Sequence, residues 1–142
     1  MKKRHLPGFT LVELMVVMLI LAILAALVIP RLIGHTEEAK RAAARTDVET
    51  FSAALTMFRL QCGRYPTTEE GLEALRTAPS DVQDKWRGPY TEKSIPNDPW
   101  GNQYHYTYPG NGGKDTFEVI SYGKDGQPGG TGDDEDIIGG SG

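Results

Sequence analysis

Residues 9–29 read FTLVELMVVMLILAILAALVI, a run that is apolar except for Thr10 and Glu13. As an α-helix this run would reach roughly 31 Å at about 1.5 Å per residue, which matches the hydrocarbon core of a bilayer. A basic segment, Lys-Lys-Arg at residues 2–4, precedes it, and the positive-inside rule leaves such an end in the cytoplasm. The sequence therefore predicts a single-pass membrane helix, with the remainder of the chain exported.

The position of Gly8 separates two explanations of this N-terminus. A secretory signal peptide has a small-residue cleavage site after its apolar run, but residues 29–34 read IPRLIG and contain no such pattern. Gly8 instead lies before the run, between the basic segment and Phe9. Cleavage after Gly8 would remove residues 1–8 as a leader and leave the apolar helix, residues 9–33, as the mature N-terminus.

Glu13 is the one charged residue in the apolar run, and a carboxylate inside a membrane helix costs roughly 2–4 kcal/mol on insertion scales. One interpretation is that Glu13 lies near the cytoplasmic end and reaches into the lipid headgroups. The other starts from cleavage after Gly8, which would create an α-amine on Phe9, four residues before Glu13 and on the same helix face. That amine could pair with Glu13 of its own chain or of a neighbouring subunit. The second arrangement would give assembly an axial register.

Residues 8–14, GFTLVEL, follow a short basic leader and resemble the class III signal of type IV pilins and pseudopilins. The resemblance implies cleavage by a prepilin peptidase between Gly8 and Phe9, and N-methylation of Phe9. It also implies that Glu13 pairs with the N-terminus of a neighbouring subunit. A bend of the long helix is expected at Pro30, because proline removes a helical hydrogen bond and kinks the helix.

A second apolar pattern follows Pro30. Apolar residues recur there at intervals of three and four, the spacing of one helix face. They are Val48, Phe51, Leu55, Phe58 and Cys62. We expect this face to lie in the core of a domain, and we expect Gly63 to end the helix. The sequence thus predicts one helix from about Phe9 to about Leu60, interrupted near Pro30, with residues 34–62 as its amphipathic second half.

The C-terminal half has the pattern of a small mixed domain. Residues 67–70, TTEE, fit a capping box that precedes a short helix through residues 72–75. Tyrosines alternate with polar residues over 104–108, which predicts one strand, and residues 117–122 predict a second. A third short strand is expected near residues 90–95. A sheet of this size needs to pack on the apolar helix face to be stable.

Three motifs in this half narrow the resemblance. They read RYPTTEEGLEAL at residues 64–75, PNDPWGN at 96–102 and SYGKDG at 121–126, and they are similar to the signature of the major pseudopilins of type II secretion systems. The implied fold class is α+β and pilin-like, with a long N-terminal helix, membrane-inserted in its first half, packed on a small antiparallel sheet. Residues 63–138 would form the periplasmic globular domain. Residues 139–142 depart from the family pattern and are expected to be a tail or linker.

The resemblance implies a structural role in the bacterial inner membrane and periplasm. The chain would polymerise into a periplasmic pseudopilus that supports export of folded proteins across the outer membrane. Its partners would be other copies of itself, minor pseudopilins, the inner-membrane assembly platform, prepilin peptidase and membrane lipid. One alternative is a type IV pilin for adhesion, motility or DNA uptake, although the single cysteine, Cys62, cannot close the disulfide loop usual in those pilins. Another is a membrane-anchored calcium-binding module that never polymerises.

The loop at residues 122–136 is rich in glycine and acidic side chains. It is either a solvated acidic segment or a Ca²⁺ site, since Ca²⁺ takes six to eight oxygen ligands from carboxylates and carbonyls. Major pseudopilins have a calcium site in the matching loop, so the resemblance implies Ca²⁺ as a cofactor. The implied ligands are the carboxylates of Asp125 and Asp136 and the carbonyl oxygens of Tyr122 and Gln127. Which of Asp133, Asp134 and Glu135 joins them is open.

Charge and composition restrict the remaining function classes. The formal net charge is −4, with 15 Lys and Arg against 19 Asp and Glu. Nucleic acid is therefore not expected as a partner, because phosphate binding needs a concentrated positive face. The three histidines, His5, His35 and His105, are isolated, and no catalytic-triad, phosphate-loop or zinc spacing occurs. The sequence thus predicts that the chain is not an enzyme.

Overall fold

Helix α1 runs from Leu11 to Cys62 in a computed structural model that describes residues 8–141, with the backbone alone for residues 27–35. The Oγ1 of Thr10 accepts a hydrogen bond from the backbone N–H of Glu13 at 3.2 Å, which is the bond of an N-cap residue. The helical backbone contains position 30 without a break, in contrast to the expected interruption. A bend at Pro30 stays a prediction.

The C-terminal end of α1 is the one predicted. Gly63 follows the last helical residue with φ of 83°, a left-handed conformation that glycine adopts without steric cost. Its N–H donates to the carbonyl of Arg59 at 2.8 Å, which satisfies one of the free carbonyls of the last helical turn.

The chain divides after Glu37 into two compact units. In the first unit every large apolar side chain from Phe9 to Leu24 is exposed, and the least exposed of them, Val17, still exposes 44% of its surface. Within the described residues, no helical segment combines the length and the hydrophobicity needed to cross a bilayer.

In the second unit, three strands of the described residues form one antiparallel sheet in the order β1-β2-β3. They are β1 (His105–Thr107), β2 (Glu118–Ser121) and β3 (Ile137–Gly140). The first two confirm the predicted strands in shortened form. The third prediction was wrong: residues 90–95 lie within the described part of the chain and contain no strand, and β3 takes the place beside β2.

The expected C-terminal tail also needs correction, because Gly139 and Gly140 belong to β3 and pair with β2. A Cβ at Gly139 would clash with the side chain of Val48 on α1, and one at Gly140 would clash with the carbonyl of Phe117. Glycine therefore lets this strand approach the helix more closely than a residue with a side chain could.

The core lies between α1 and the inner face of the sheet. The predicted helix stripe is buried throughout, with Leu55 and Phe58 at 0% exposure. Phe51 meets Tyr104 edge-on, with ring centroids 5.1 Å apart. Such aromatic pairs add to the free energy gained by burying apolar area, and this one joins the helix to the residue that precedes β1. The predicted α+β packing is confirmed.

The predicted capping box forms between Thr67 and Glu70. The N–H of Glu70 donates to Thr67 Oγ1 at 3.2 Å, and the N–H of Thr67 donates to the Glu70 carboxylate at 2.8 Å. These two bonds close a turn, and they do not cap the helix that follows, a single 3₁₀ turn, Leu72–Leu75, whose N-cap is Gly71 without a side-chain hydrogen bond. Arg64 bridges Glu70 and Asp81 at 2.8 Å and 2.7 Å. Its hydrogen bond to Glu70 holds the pKa of that carboxyl below its ordinary value.

Candidate functional site

The loop at residues 122–136 connects β2 to β3 and folds back on itself through its acidic residues. The Asp125 carboxylate accepts a hydrogen bond from the backbone N–H of Gln127 at 3.0 Å. The Oδ2 of Asp136 accepts one from the backbone N–H of Gly129 at 2.9 Å. Each carboxylate therefore has one oxygen engaged in shaping the loop.

The second carboxylate oxygen of Asp136 is unusual. Oδ1 is buried, and no donor among the described residues makes a hydrogen bond to it. A buried acceptor without a partner costs roughly 1–3 kcal/mol. In a native fold, such an atom calls for an explanation, and an ion or a water molecule that binds it is one. Asp136 is, with Asp125, one of the carboxylates that the resemblance to the major pseudopilins implies as metal ligands.

Two carbonyl oxygens from the far side of the loop lie close to its beginning. The carbonyl of Asp133 accepts a hydrogen bond from the N–H of Lys124 at 3.2 Å. A Cβ at Gly123, whose φ is +67°, would lie 3.1 Å from the carbonyl oxygens of Asp133 and Asp134. A Cβ at Gly130 would clash with the same Asp134 carbonyl. The glycines thus allow the approach of these carbonyls, as expected for a tightly wrapped loop.

The other predicted ligands are distributed around the loop. Asp133 is exposed, Asp134 is half-buried, and Gln127 is exposed. The half-buried ring of Tyr122 lies on that of His105, with centroids 4.4 Å apart. Within the described residues, no three His, Cys, Asp or Glu side chains are grouped so that they could hold a metal ion. A cation would therefore depend on carbonyl oxygens as much as on carboxylates.

Sequence reasoning missed a buried carboxylate that anchors the beginning of the loop. Asp98 is 4% exposed, and its Oδ1 accepts hydrogen bonds from the N–H groups of Trp100 at 3.1 Å and Asn102 at 2.8 Å. Its Oδ2 accepts one from the Ser121 hydroxyl at 2.7 Å. The Asn102 side chain then donates to the carbonyl of Gly123 at 3.1 Å. The turn residues of PNDPWGN are the signal that could have identified Asp98, since Asp bonds the backbone of such turns.

A second missed contact reaches the end of the loop from α1. The guanidinium of Arg41 donates to the carbonyl of Gly132 and to that of Glu135 at 3.4 Å. It also forms an ion pair with the Glu135 carboxylate at 2.8 Å. Nothing in the sequence around Arg41 distinguishes it from the other charged residues on its helix, because its acceptors lie more than ninety residues away.

The N-terminal candidates lie at the beginning of α1. Gly8 and Phe9 precede the helix and are exposed, and Glu13 is exposed in its first turn. The basic residues of the predicted leader lie outside the described residues. Leader cleavage, methylation of Phe9 and pairing of Glu13 with an amine stay predictions.

Comparison with known protein families distinguishes a pseudopilin from a type IV pilin. Residues 31–140 match the family described as type II secretion system (T2SS), protein G. The chain belongs to this protein G family. Residues 7–29 match a second family model, the prokaryotic N-terminal methylation motif. The predicted resemblance to the major pseudopilins is confirmed.

Members of the protein G family align with nearly the whole chain. It is 46% identical to the type II secretion system core protein G of Vibrio cholerae, over 96% of this chain and 92% of that protein. It is 45% identical to that of Pseudomonas aeruginosa, over 96% of each.

A solved structure supports the same assignment. The crystal structure of the major pseudopilin from the type 2 secretion system of enterohaemorrhagic Escherichia coli has a TM-score of 0.59 to this fold. It is 37% identical in sequence and covers 77% of this chain and 93% of its own. The protein G chain described above is thus a major pseudopilin of type II secretion, and the family consists of structural subunits. A type IV pilin for adhesion or DNA uptake is set aside.

Proposed function

We propose that this major pseudopilin is inserted in the inner membrane through residues 9–33 and then polymerises into a periplasmic filament. The observation that carries the proposal is the continuous exposure of large apolar side chains from Phe9 to Leu24. A contiguous apolar surface of this extent needs either lipid or protein to cover it. Lipid would cover it before assembly, and the same segment of neighbouring copies would cover it afterwards.

Cleavage after Gly8 prepares the chain to move from lipid into contact with neighbouring copies. The Gly8–Phe9 bond lies before the helix, and both residues are exposed, so a prepilin peptidase can reach the bond. Cleavage creates an α-amine on Phe9, and a methylated amine keeps its positive charge. Glu13 supplies the opposite charge. An ion pair that forms between subunits in lipid removes the cost of a lone carboxylate there, so it favours one stagger between neighbouring helices.

A charge reversal at Glu13 tests the assembly step. Glu13→Lys is expected to abolish filaments recovered by shearing and sedimentation, while the subunit still resists carbonate extraction from membranes. Glu38→Lys is the matched control, because Glu38 is exposed on the same helix and lies outside the apolar run. Filaments of normal yield with Glu13→Lys would refute the pairing and would favour an anchored protein that does not polymerise. Mass spectrometry of the assembled subunit should show Phe9 as a methylated N-terminus.

Membership of the protein G family supports a wider role that we also propose. In the proposed system, growth of the filament supports export of folded proteins across the outer membrane. Minor pseudopilins and an inner-membrane assembly platform are the further partners. Export and filament yield should fail together in Glu13→Lys, since the filament is the proposed working form.

We also propose that the loop at residues 122–136 binds Ca²⁺. The supporting observation is the buried Oδ1 of Asp136, which lacks a donor among the described residues. Asp125 and Asp136 would provide carboxylates, and carbonyl oxygens such as those of Tyr122 and Gln127 would complete a set of the kind that Ca²⁺ prefers. The cation would offset the repulsion among the acidic side chains and fasten the loop that leads into β3.

Thermal unfolding of the purified full chain in detergent tests the calcium site. A ligand at a hundred times its Kd stabilises the folded state by about 2.7 kcal/mol, so adding Ca²⁺ after chelation should raise the Tm measurably. Asp136→Asn is expected to abolish this rise. Asp84→Asn should leave the rise unchanged, because Asp84 is exposed and outside the loop. A wild-type Tm that does not respond to saturating Ca²⁺ would refute the site.

A further inference from the structure

Arg41 joins α1 to the loop at residues 122–136. Its side chain is 15% exposed, whereas Glu38 and Arg45, about one helical turn away on either side, are exposed. The guanidinium binds the carbonyls of Gly132 and Glu135. These two carbonyls belong to the first residue of the 3₁₀ turn Gly132–Asp134 and to Glu135, the residue that follows the turn. The planar fork of arginine can hold several acceptors at once, so one side chain fastens both ends of this turn.

We infer that Arg41 is the positioning residue of the metal loop, and that Glu135 is its ion-pair partner and not a ligand of the metal. This inference rests on the proposed calcium site. By engaging the carbonyls of Gly132 and Glu135, Arg41 holds the turn between them, and that turn leads directly into Asp136. The Glu135 carboxylate is turned to the helix at 2.8 Å. The adjacent Asp136 keeps its buried Oδ1 free of protein donors in the described part of the chain.

The sign of the effect separates positioning from simple electrostatics. A guanidinium near a cation site repels the cation, so removing a positive charge alone should tighten Ca²⁺ binding. The ion pair with Glu135 offsets this repulsion. If Arg41 acts by fixing the turn, its removal should weaken binding instead, because the proposed ligand Asp136, which directly follows Glu135, is then no longer held in place before the metal arrives. Groups that hold metal ligands in place through hydrogen bonds typically contribute 10–100-fold to metal affinity.

Arg45 provides a matched control. It lies one turn further along α1 and carries the same charge. Arg41 and Arg45 both line a groove between the helix and β3. Arg45 is exposed, and the described part of the chain shows no hydrogen bond or ion pair for it. Arg45→Gln therefore reproduces the change in charge without the change in loop contacts.

The experiment is a calorimetric Ca²⁺ titration of the purified full chain in detergent. Arg41→Gln is expected to weaken Ca²⁺ binding by on the order of tenfold or more, and Arg41→Lys by less, since lysine keeps the charge without the fork. Arg45→Gln and Glu135→Gln should stay within about threefold of the wild type, as for exposed charged groups. Tm values measured under chelation identify any variant whose metal-free fold is damaged. If the metal-free fold of Arg41→Gln is damaged, the Ca²⁺ affinities of Arg41→Lys and Glu135→Gln decide whether Arg41 positions the loop.

The outcomes are distinct. If the wild type binds Ca²⁺ and Arg41→Gln binds it with the same or a lower Kd, the proposed role of Arg41 is overturned. If Glu135→Gln loses as much affinity for Ca²⁺ as Asp136→Asn, Glu135 is a ligand of the metal. Its assignment as only the ion-pair partner of Arg41 is then overturned. Absence of binding by the wild type would refute the calcium proposal itself and, with it, this inference.

Discussion

Replacing Asp98 by alanine should be among the most damaging single changes in the globular domain. The carboxylate is 4% exposed and accepts three hydrogen bonds, from the N–H groups of Trp100 and Asn102 and from the Ser121 hydroxyl. Ser121 is itself 0% exposed. Alanine would leave that hydroxyl without its acceptor in a place that water does not reach.

The expected cost follows from these contacts. A buried donor left unsatisfied costs about 1–3 kcal/mol, and hydrogen bonds to charged groups contribute about 1.5–3 kcal/mol each. Trp100 and Asn102 are partly exposed, so water can replace the acceptor for their N–H groups. We therefore expect a total loss of about 3–4 kcal/mol, below the sum of the separate bonds. For a domain of this size that corresponds to a fall in Tm on the order of 15 °C.

Thermal unfolding of the full chain in detergent, followed by circular dichroism at fixed Ca²⁺, measures this loss. Asp98→Asn keeps one oxygen for the two N–H donors and should cost less, about 1–2 kcal/mol. Asp84→Ala removes an exposed carboxylate and should stay within about 0.5 kcal/mol of the wild type. A loss below about 1 kcal/mol in Asp98→Ala would show that the three bonds do not hold the fold together.

Two further variants test the core and the capping box. Phe58→Ala empties a site that is 0% exposed and should cost about 3–5 kcal/mol in urea unfolding; a cost no larger than that of Leu60→Ala, at a position 73% exposed, would contradict the packing described above. Because Arg64 lowers the pKa of Glu70, their pairing stabilises the fold above the unfolded glutamate pKa of about 4.3 and is lost as pH falls through the lower folded value. The wild type should therefore lose more stability on acidification than Glu70→Gln, and identical pH profiles of the unfolding free energy would refute this linkage.

The elements that could be predicted from sequence are those with local signals. The stripe through Val48 and Phe58 has helical spacing, Gly63 supplies the positive φ that ends α1, and the tyrosines of residues 104–108 alternate as a strand does. In each case a few neighbouring residues determine the backbone. The N-terminal motif at residues 8–14 was equally informative, and the match to the methylation motif agrees with it.

The elements that were missed depend on distant partners. β3 contains Gly139 and Gly140, which have low strand propensity, and the reason for glycine lies in Val48 on α1 and in Phe117. Strand propensity near residues 90–95 was misleading because no strand in the described part of the chain pairs with this segment. Arg41 likewise acquires its role only when the fold brings Gly132 to it.

The single cysteine has a consequence for biogenesis. Cys62 is 4% exposed, beneath the hydroxyl of Tyr90 at 3.9 Å, and the sequence has no second cysteine with which it could pair. Folding of the domain therefore needs no thiol oxidase, and reducing agents should leave the mature fold unaffected. Cells that lack enzymes for oxidative folding should still accumulate this subunit in its native form.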